Sequence, residues 1–534
     1  MKVVFVALGQ EQLGISILSA VLRRAGHDTS LVFDPALFAD RYYLEIPALG
    51  RLFQSEARVV DEVVADAPDL VAFSVLTPTY TWALDIAARV RARLDVPVIF
   101  GGVHPSAVPD VCLENPQVDY VCVGEGEEAL VALCDALEAR RGRPGPPDAP
   151  IPNLHWRGAG GEVVRGAASS FIQDLDALPW WDKALWEGHV RLGDNYLTMT
   201  GRGCPYRCTF CFNNFFARLP GEDGGRYVRR RSVENVMGEL LEMNARYSLR
   251  HVDFEDDIFT LDRAWLRRFL PRYRREVGVP FSCLVHPRFI DRELAEMLRD
   301  AGCDRIQMGV QSADPEYKRK QLLRMEREAH LERALEALHA SGIRMNLDHM
   351  LGLPGEPPEA QELARELFVR HPPGRVSTYW LTHLPGIDLT RDAHAQGLIS
   401  DGELAEIHRG RTRLFHHLAH GRDHDRAAFY QRYDLLFRAL PMLPAAVRER
   451  ARAHHVPRLS PALAGAIGAA LDGVNAARHR DADLYAYVRH YAMHGARALQ
   501  ERLLGAAPRP PRRRPPPTTE RPRRVSLPRY EGAP

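Results

Sequence analysis

The chain has 534 residues, 45% of them hydrophobic and 26% charged, with 70 lysines and arginines against 69 aspartates and glutamates. That length exceeds one ordinary domain, and the composition is that of a soluble globular protein able to bury two or three cores. No apolar run reaches the length of a bilayer crossing, and Met1 to Val6 reads as a strand rather than a secretory leader, so a reducing, cytoplasmic compartment is expected.

Up to about residue 140 strand and helix patterns alternate. Strand-like runs are Val3 to Leu8, Thr29 to Phe33, Leu70 to Val75, Val96 to Phe100 and Tyr120 to Val123; helical apolar spacing covers Ile15 to Ala25, Trp82 to Leu94 and Ala129 to Ala139. This alternation predicts an α/β fold, with a doubly wound (Rossmann-like) parallel sheet over residues 1–140. The loops after the strands are small and polar: Gly9 to Gln12, Ser74 to Thr79 with Thr77 inside it, Gly101-Gly102-Val103-His104-Pro105, and Gly124-Glu125-Gly126-Glu127. Glycine there lets a flat or anionic ligand approach the backbone. Gly124-Glu125-Gly126 lacks the G-x-G-x-x-G spacing of a dinucleotide fold, which disfavours NAD.

A Pro/Gly-rich break, Arg140 to Pro147, opens a linker over 141–193. Within it Asn153 to Trp156 and Glu162 to Val164 flank a glycine-rich turn and predict a hairpin. Trp180, Trp181 and Trp186 follow, and packing between domains is their preferred reading over lining a cavity.

Next come three cysteines, Cys204, Cys208 and Cys211, in C-x3-C-x2-C spacing on a glycine-rich loop after the strand Tyr196 to Thr200. A structural zinc site needs a fourth ligand, and Phe212 to Phe216 offers only Asn213 and Asn214. A disulfide would leave one cysteine over. Three thiolates suit a 4Fe-4S cube, holding three irons and leaving the fourth open to a ligand. Cys112, Cys122, Cys134 and Cys303 fall in apolar patterns and read as small core residues, as does Cys283.

Alternation resumes over 194–399. Strands at His251 to Phe254, Phe281 to Val285, Arg305 to Gly309, Arg344 to Met350 and Ser377 to Leu381 join the one before the cysteines, with helices between them. Six such strands predict a partial (β/α)6 barrel, whose working residues lie at the C-terminal strand ends. Those ends are Glu255-Asp256-Asp257, Cys283 to Arg288, Gln311-Ser312, Gly352-Leu353-Pro354-Gly355-Glu356 and His383.

Residues 400–505 turn helical and are expected to cap the barrel. His408, His416, His417, His420 and His424 lack an H-E-x-x-H frame and read as a solvated face. Residues 506–534 carry eight arginines and many prolines, predicting a disordered tail. A solubilising role is preferred for it, and nucleic acid is not an expected partner.

The cysteine triad, with Phe210 before its last member, resembles the signature of the radical S-adenosylmethionine (SAM) superfamily. Gly-Gly-x-His-Pro followed by Val-Gly-Glu-Gly-Glu resembles the cobalamin-binding domain found ahead of some radical SAM domains. The resemblance implies a 4Fe-4S cluster on Cys204, Cys208 and Cys211, and SAM contacts from Phe210, Asp256, Asp257, Arg288, Gln311, Ser312, Gly352 and Pro354. It also implies cobalamin contacts from Gln12, Ser74, Thr77, Gly101, Gly102, His104, Gly124, Glu125, Gly126 and Glu127. The first loop, Gly9 to Gly14, lacks the D-x-H-x-x-G histidine that ligates cobalt in cobalamin mutases, and His104 reads more plainly as a packed loop residue than as a substitute ligand.

The activity so implied is cleavage of SAM to a 5′-deoxyadenosyl radical. Its outcome is C-methylation of an unactivated carbon in a small-molecule substrate, with electrons from a flavodoxin- or ferredoxin-type reductant. Oxidative cyclisation or rearrangement without methyl transfer is the alternative, as in the anaerobic magnesium-protoporphyrin monomethyl ester cyclases. A SAM or cobalamin sensor is the reading from a different class. The individual catalytic residues are not legible.

Overall fold

The computed structural model describes residues 1–40, 44–140, 147–158, 160–220, 224–411 and 424–504. The first domain is a sheet of β1 (Lys2–Leu8), β2 (Asp28–Asp34), β3 (Leu70–Ser74), β4 (Val98–Gly101), β5 (Tyr120–Cys122), β6 (Leu154–Arg157) and β7 (Val163–Arg165), in the order β2-β1-β3-β4-β5-β6-β7. The strands from β2 to β5 are parallel. Each reads as a continuous apolar run because both faces are covered. Val3, Phe5 and Ala7 pack with helices α1 (Leu13–Ala25) and α4 (Glu127–Ala139), while Val4 and Val6 face α2 (Glu56–Asp66) and α3 (Tyr80–Arg91).

Helix α2 is absent from the sequence expectations. Its buried face is Val59, Val60 and Val63, and β-branched residues disfavour helix locally, so packing overrides propensity here. The hairpin expected within the linker is part of the sheet instead. β6 and β7 add antiparallel strands beyond β5, with Tyr120 opposite Trp156. Leu154 and Trp156 are buried in the domain's core, which is what draws the hairpin onto the edge.

The second domain is a six-stranded, wholly parallel sheet in sequential order: β8 (Tyr196–Thr198), β9 (Val252–Phe254), β10 (Phe281–Val285), β11 (Cys303–Gln311), β12 (Arg344–Leu351) and β13 (Arg375–Trp380). This is the expected partial barrel. Helices α5 (Val233–Tyr247), α6 (Arg263–Glu276), α7 (Arg292–Ala301) and α8 (Glu328–Ser341) cover it, with α9 (Glu359–Arg370) between β12 and β13. Ser232, Asp262 and Asp291 each accept a backbone N–H at a helix start, satisfying donors left over by the first turn. Between strands and helices lies an aromatic cluster of Phe254, Phe259, Phe269, Tyr273 and Phe281, with Phe254 and Phe259 stacked 4.7 Å apart.

Buried polar contacts lock the two domains together. Lys183 donates to Glu11 at 2.5 Å and to the Leu197 carbonyl at 2.5 Å, and its ammonium sits 4.4 Å from the Tyr196 ring centre. Trp186 is fully buried and donates to Ser16 at 2.8 Å, while Trp181 packs on Ile17 and Val21 of α1.

The C-terminal helices depart from the expected cap. α10 (His424–Ala439) lies along β13, α11 (Pro461–Arg478) packs on α10, and α12 (Ala482–Leu504) spans both domains. His490 of α12 pairs with the Pro35 carbonyl at 3.0 Å, Arg489 contacts Asp194 at 3.1 Å, and Asp481 just before α12 accepts from Arg305 at 2.8 Å. Arg305 lies near the start of β11, so this region closes the N-terminal end of the barrel, opposite the predicted working face. His416, His417, His420 and residues 506–534 lie outside the described residues. No helix among those described is long and apolar enough to cross a membrane.

Candidate functional site

The cysteine loop is held at the C-terminal strand ends by ties to four separate segments. Thr209 accepts and donates backbone and side-chain bonds with Leu322 at 3.1 Å, Gln321 at 2.9 Å and Leu389 at 2.8 Å. Asn213 donates to Asp257 at 2.6 Å and accepts from Tyr227 at 2.5 Å, and Asn214 donates to Asp388 at 2.7 Å. At Gly203, φ is +89° and a Cβ would collide with the Tyr227 carbonyl, so only glycine opens the loop this way.

All three cysteines are free thiols, with Cys208 buried and Cys204 and Cys211 partly accessible. Burial raises each thiol above its usual range, Cys204 to about 12 and Cys208 to about 11, so they would become thiolates on binding metal. The three thiols lie close enough to act on one another electrostatically, and a cluster takes each sulfur on a different iron. The donor set therefore fits an iron–sulfur cluster with three protein ligands.

One residue beside this loop escaped the sequence reading. Arg324 is buried, donates to the Gly309 carbonyl at 2.6 Å and to Glu326 at 2.7 Å, and lies close enough to Cys208 and Cys204 to interact with them electrostatically. Glu326 also faces Lys318 and His286, each at 3.6 Å; despite the opposing effect of burial, these partners and Arg324 lower its pKa to about 2. No motif marks Arg324, one basic residue among several between β11 and α8.

The expected SAM residues divide. Asp257 is beside Cys204 and Cys211, and Phe210 packs with Leu322 and Leu353. Asp256 is instead 2% exposed and accepts from the Thr200 backbone N–H at 2.9 Å and hydroxyl at 2.6 Å; it braces β8 against β9 rather than facing a ligand. Ser312 is fully buried and donates to the buried Glu356 at 2.5 Å, whose other oxygen accepts from Gln361 at 2.8 Å. Gln311 sits at φ +65° where β11 breaks register with β12, and Gly352 at φ +79° opens the turn whose Pro354 carbonyl accepts from Tyr317 at 2.6 Å. Arg288 is exposed and contacts Tyr206.

The expected cobalamin residues divide similarly. Gly101, Gly102, Gly124 and Gly126 at the ends of β4 and β5 are partly accessible, as are Gln12 on the loop after β1 and Ser74 at the end of β3, and a side chain at Gly102 would collide with the Val75 backbone. Thr77 and His104 are turned into the domain: His104 is wholly buried, its ring 4.2 Å from that of Tyr80 and its Nδ1 3.1 Å from the Thr77 hydroxyl. Burial lowers its pKa to about 4. Glu125 and Glu127 are engaged by the second domain, Glu125 by Arg202 at 3.0 Å and Arg229 at 2.9 Å, Glu127 by Arg202 at 2.6 Å. These two glutamates thus clamp the domains together, an assignment that required knowing which arginines dock on them.

The Glu125 and Glu127 loop of the first domain is joined to the cysteine loop of the second through Arg202, so a three-cysteine site lies beside their junction. The protein is thus a two-domain cofactor enzyme by architecture. Residues 3–134 match the B12 binding domain and residues 198–367 match the radical SAM superfamily, so the chain belongs to the radical SAM enzymes that carry a cobalamin-binding domain. Its cofactors are accordingly a 4Fe-4S cluster, SAM and cobalamin.

The chain is similar to the cytidylyl-2-hydroxyethylphosphonate methyltransferase of Streptomyces wedmorensis, 25% identical over 73% of this chain and 79% of that one. It is also similar to the anaerobic magnesium-protoporphyrin IX monomethyl ester cyclase of Rubrivivax gelatinosus, 25% identical over 65% of this chain and 60% of that one. The radical SAM methyltransferase TsrM of Kitasatospora setae, solved with cobalamin and a [4Fe-4S] cluster, shares the fold with a TM-score of 0.58 and 20% identity, over 74% of this chain and 78% of that one.

Proposed function

We propose that this protein is a cobalamin-dependent methyltransferase that methylates an unactivated carbon of a small molecule. The observation that carries the reading is the clamp: Arg202, two residues before Cys204, binds Glu125 and Glu127, which ties the cobalamin-side loop to the cysteine loop. Bound at these loops, cluster and SAM supply a 5′-deoxyadenosyl radical and cobalamin supplies a methyl carrier. The chain's own residues hold the geometry. Thr209, Asn213 and Asn214 fix the thiolate loop, and Asp257 offers a carboxylate toward the SAM ammonium. Arg324, anchored by Glu326, keeps positive charge behind the thiolates. Electrons come from an external flavodoxin- or ferredoxin-type reductant.

The methyltransferase relative, matched over most of both chains, supports methyl transfer. The cyclase relative supports a second reading, radical oxidative cyclisation without methyl transfer. Reconstituted, reduced enzyme incubated with methyl-labelled SAM and a small-molecule extract of the native host separates the two. Label in a new product supports methyl transfer; deoxyadenosine with an unlabelled new product supports cyclisation. Absence of deoxyadenosine would sink both.

A further inference from the structure

Helix α12 lies on the protein by one face and leaves the opposite face uncovered. On the covered face His490 and His494 pair with the Pro35 and His189 carbonyls at 3.0 and 2.8 Å, and the Tyr491 ring is 5.1 Å from that of Phe38. Tyr485, Val488, Ala492, Ala496 and Leu499 recur at steps of three and four residues, which places them in one row on the side of the helix away from His494. All five are exposed, Val488 at 56% and Leu499 at 50%, and the row runs for about 21 Å at the rise of an α-helix.

The same spacing is found on α11, where Leu463, Ala466, Ala470, Val474 and Ala477 are all exposed. Phe38 carries apolar surface across to the first domain. Its ring is also 5.4 Å from that of Phe53, which follows the short helix Pro47–Leu52, and there Ile46, Leu49 and Leu52 recur at every third residue, each more than a third exposed. Apolar side chains exposed singly need no explanation, but rows of them along neighbouring elements mark a surface that something covers.

The charge that follows α12 selects the occupant. Residues 506–534 carry eight arginines against Glu520 and Glu531, a net charge of +6 beginning seven residues after Leu499. A second copy of the chain seated on the row would set two such segments side by side, where they repel. A nucleic acid would meet the arginines and leave the apolar row bare. A protein partner would find alanines between the larger side chains, with no deep anchor of the kind that dominates such interfaces. An anionic lipid surface takes both parts, the apolar row at the boundary between headgroups and acyl chains and the arginines on the phosphates.

We propose that α12 and the arginine-rich segment after it dock this protein reversibly on an anionic lipid bilayer. Docking in this way is independent of the reaction catalysed. The test is co-flotation of the full-length protein with vesicles of phosphatidylcholine alone and of phosphatidylcholine mixed with phosphatidylglycerol. The mixed vesicles are expected to carry at least about tenfold more protein, and raised salt should release it. Val488→Asp combined with Leu499→Asp should lower binding to the mixed vesicles at least about tenfold, as should Arg512→Gln, Arg513→Gln and Arg514→Gln together, whereas Val488→Leu should retain it. Both aspartates stand at exposed positions, so the melting temperature should stay that of the wild type; where it falls, Val488→Ser with Leu499→Ser replaces them, with the same direction expected. No flotation, equal flotation with both vesicles, or binding unaffected by the substitutions on α12 would overturn the proposal. So would a dimer in light scattering that Val488→Asp dissolves, since a second copy would then own the surface.

Discussion

The seam between the domains and the inside of the barrel use the same chemical groups in different ways. At the seam three buried or half-buried carboxylates meet cations: Glu11 meets Lys183, Glu125 meets Arg202 and Arg229, Glu127 meets Arg202. Inside the barrel Asp348 has the Gln307 amide as its hydrogen-bond donor, and Arg375 and Arg324 act on it only at longer range. Matched charges tie the domains together, whereas burial of Asp348 against an amide raises its pKa to about 7. A buried ion pair is poor evidence for net stability, but it is strong evidence for register, since breaking one side strands the other.

The largest expected effect lies at the loop bordering both regions. Replacing Cys204, Cys208 or Cys211 by alanine should abolish deoxyadenosine formation and iron–sulfur absorbance while circular dichroism stays that of the wild type. If SAM is still cleaved, the cluster assignment is wrong. Next comes the seam. Lys183→Met strands Glu11 in a dry interior and should cost about 3–5 kcal/mol in denaturant unfolding; adding Glu11→Leu should recover most of it. A double variant no better than the single one would show that Lys183 acts by packing on Tyr196 alone.

Arg202→Ala should cost less, roughly 1–3 kcal/mol, because this pair keeps some solvent contact. Its sharper sign is decoupling, with two calorimetric transitions replacing one. The smallest effect concerns the inside of the barrel. Asp348 titrates near 7 in the fold and near ~3.9 unfolded, so the folded state holds its proton longer and stability should fall as pH rises from about 4 to about 7. In Asp348→Asn the slope of melting temperature over that window should flatten; an unchanged slope would place the effect elsewhere.

Much of the fold was legible because it is local. The alternating strand and helix patterns located five of the first domain's strands and all six of the barrel's, and the cysteine spacing located the metal site. Three things were not. Helix α2 is rich in valine and holds its form by burial against β1 and β3. The hairpin at Leu154 to Arg165 is ordinary in sequence, and only its fit against Tyr120 makes it part of the sheet. Asp256 and Asp257 are neighbours with the same charge, yet one turns under the loop to Thr200 and the other lies beside the cysteines, a difference set by backbone direction at the end of β9.

By itself the sequence determined two parallel-sheet domains and a three-thiolate centre, since periodicity and close spacing are properties of a few consecutive residues. Only the tertiary structure decided that Glu125 and Glu127 are clamps, that His104 is core, that Arg324 stands behind the cysteines, and that Asp348 is held by the Gln307 amide. Each depends on residues far apart in the chain, and a charge has a partner or lacks one only once docking has brought every other charge into place.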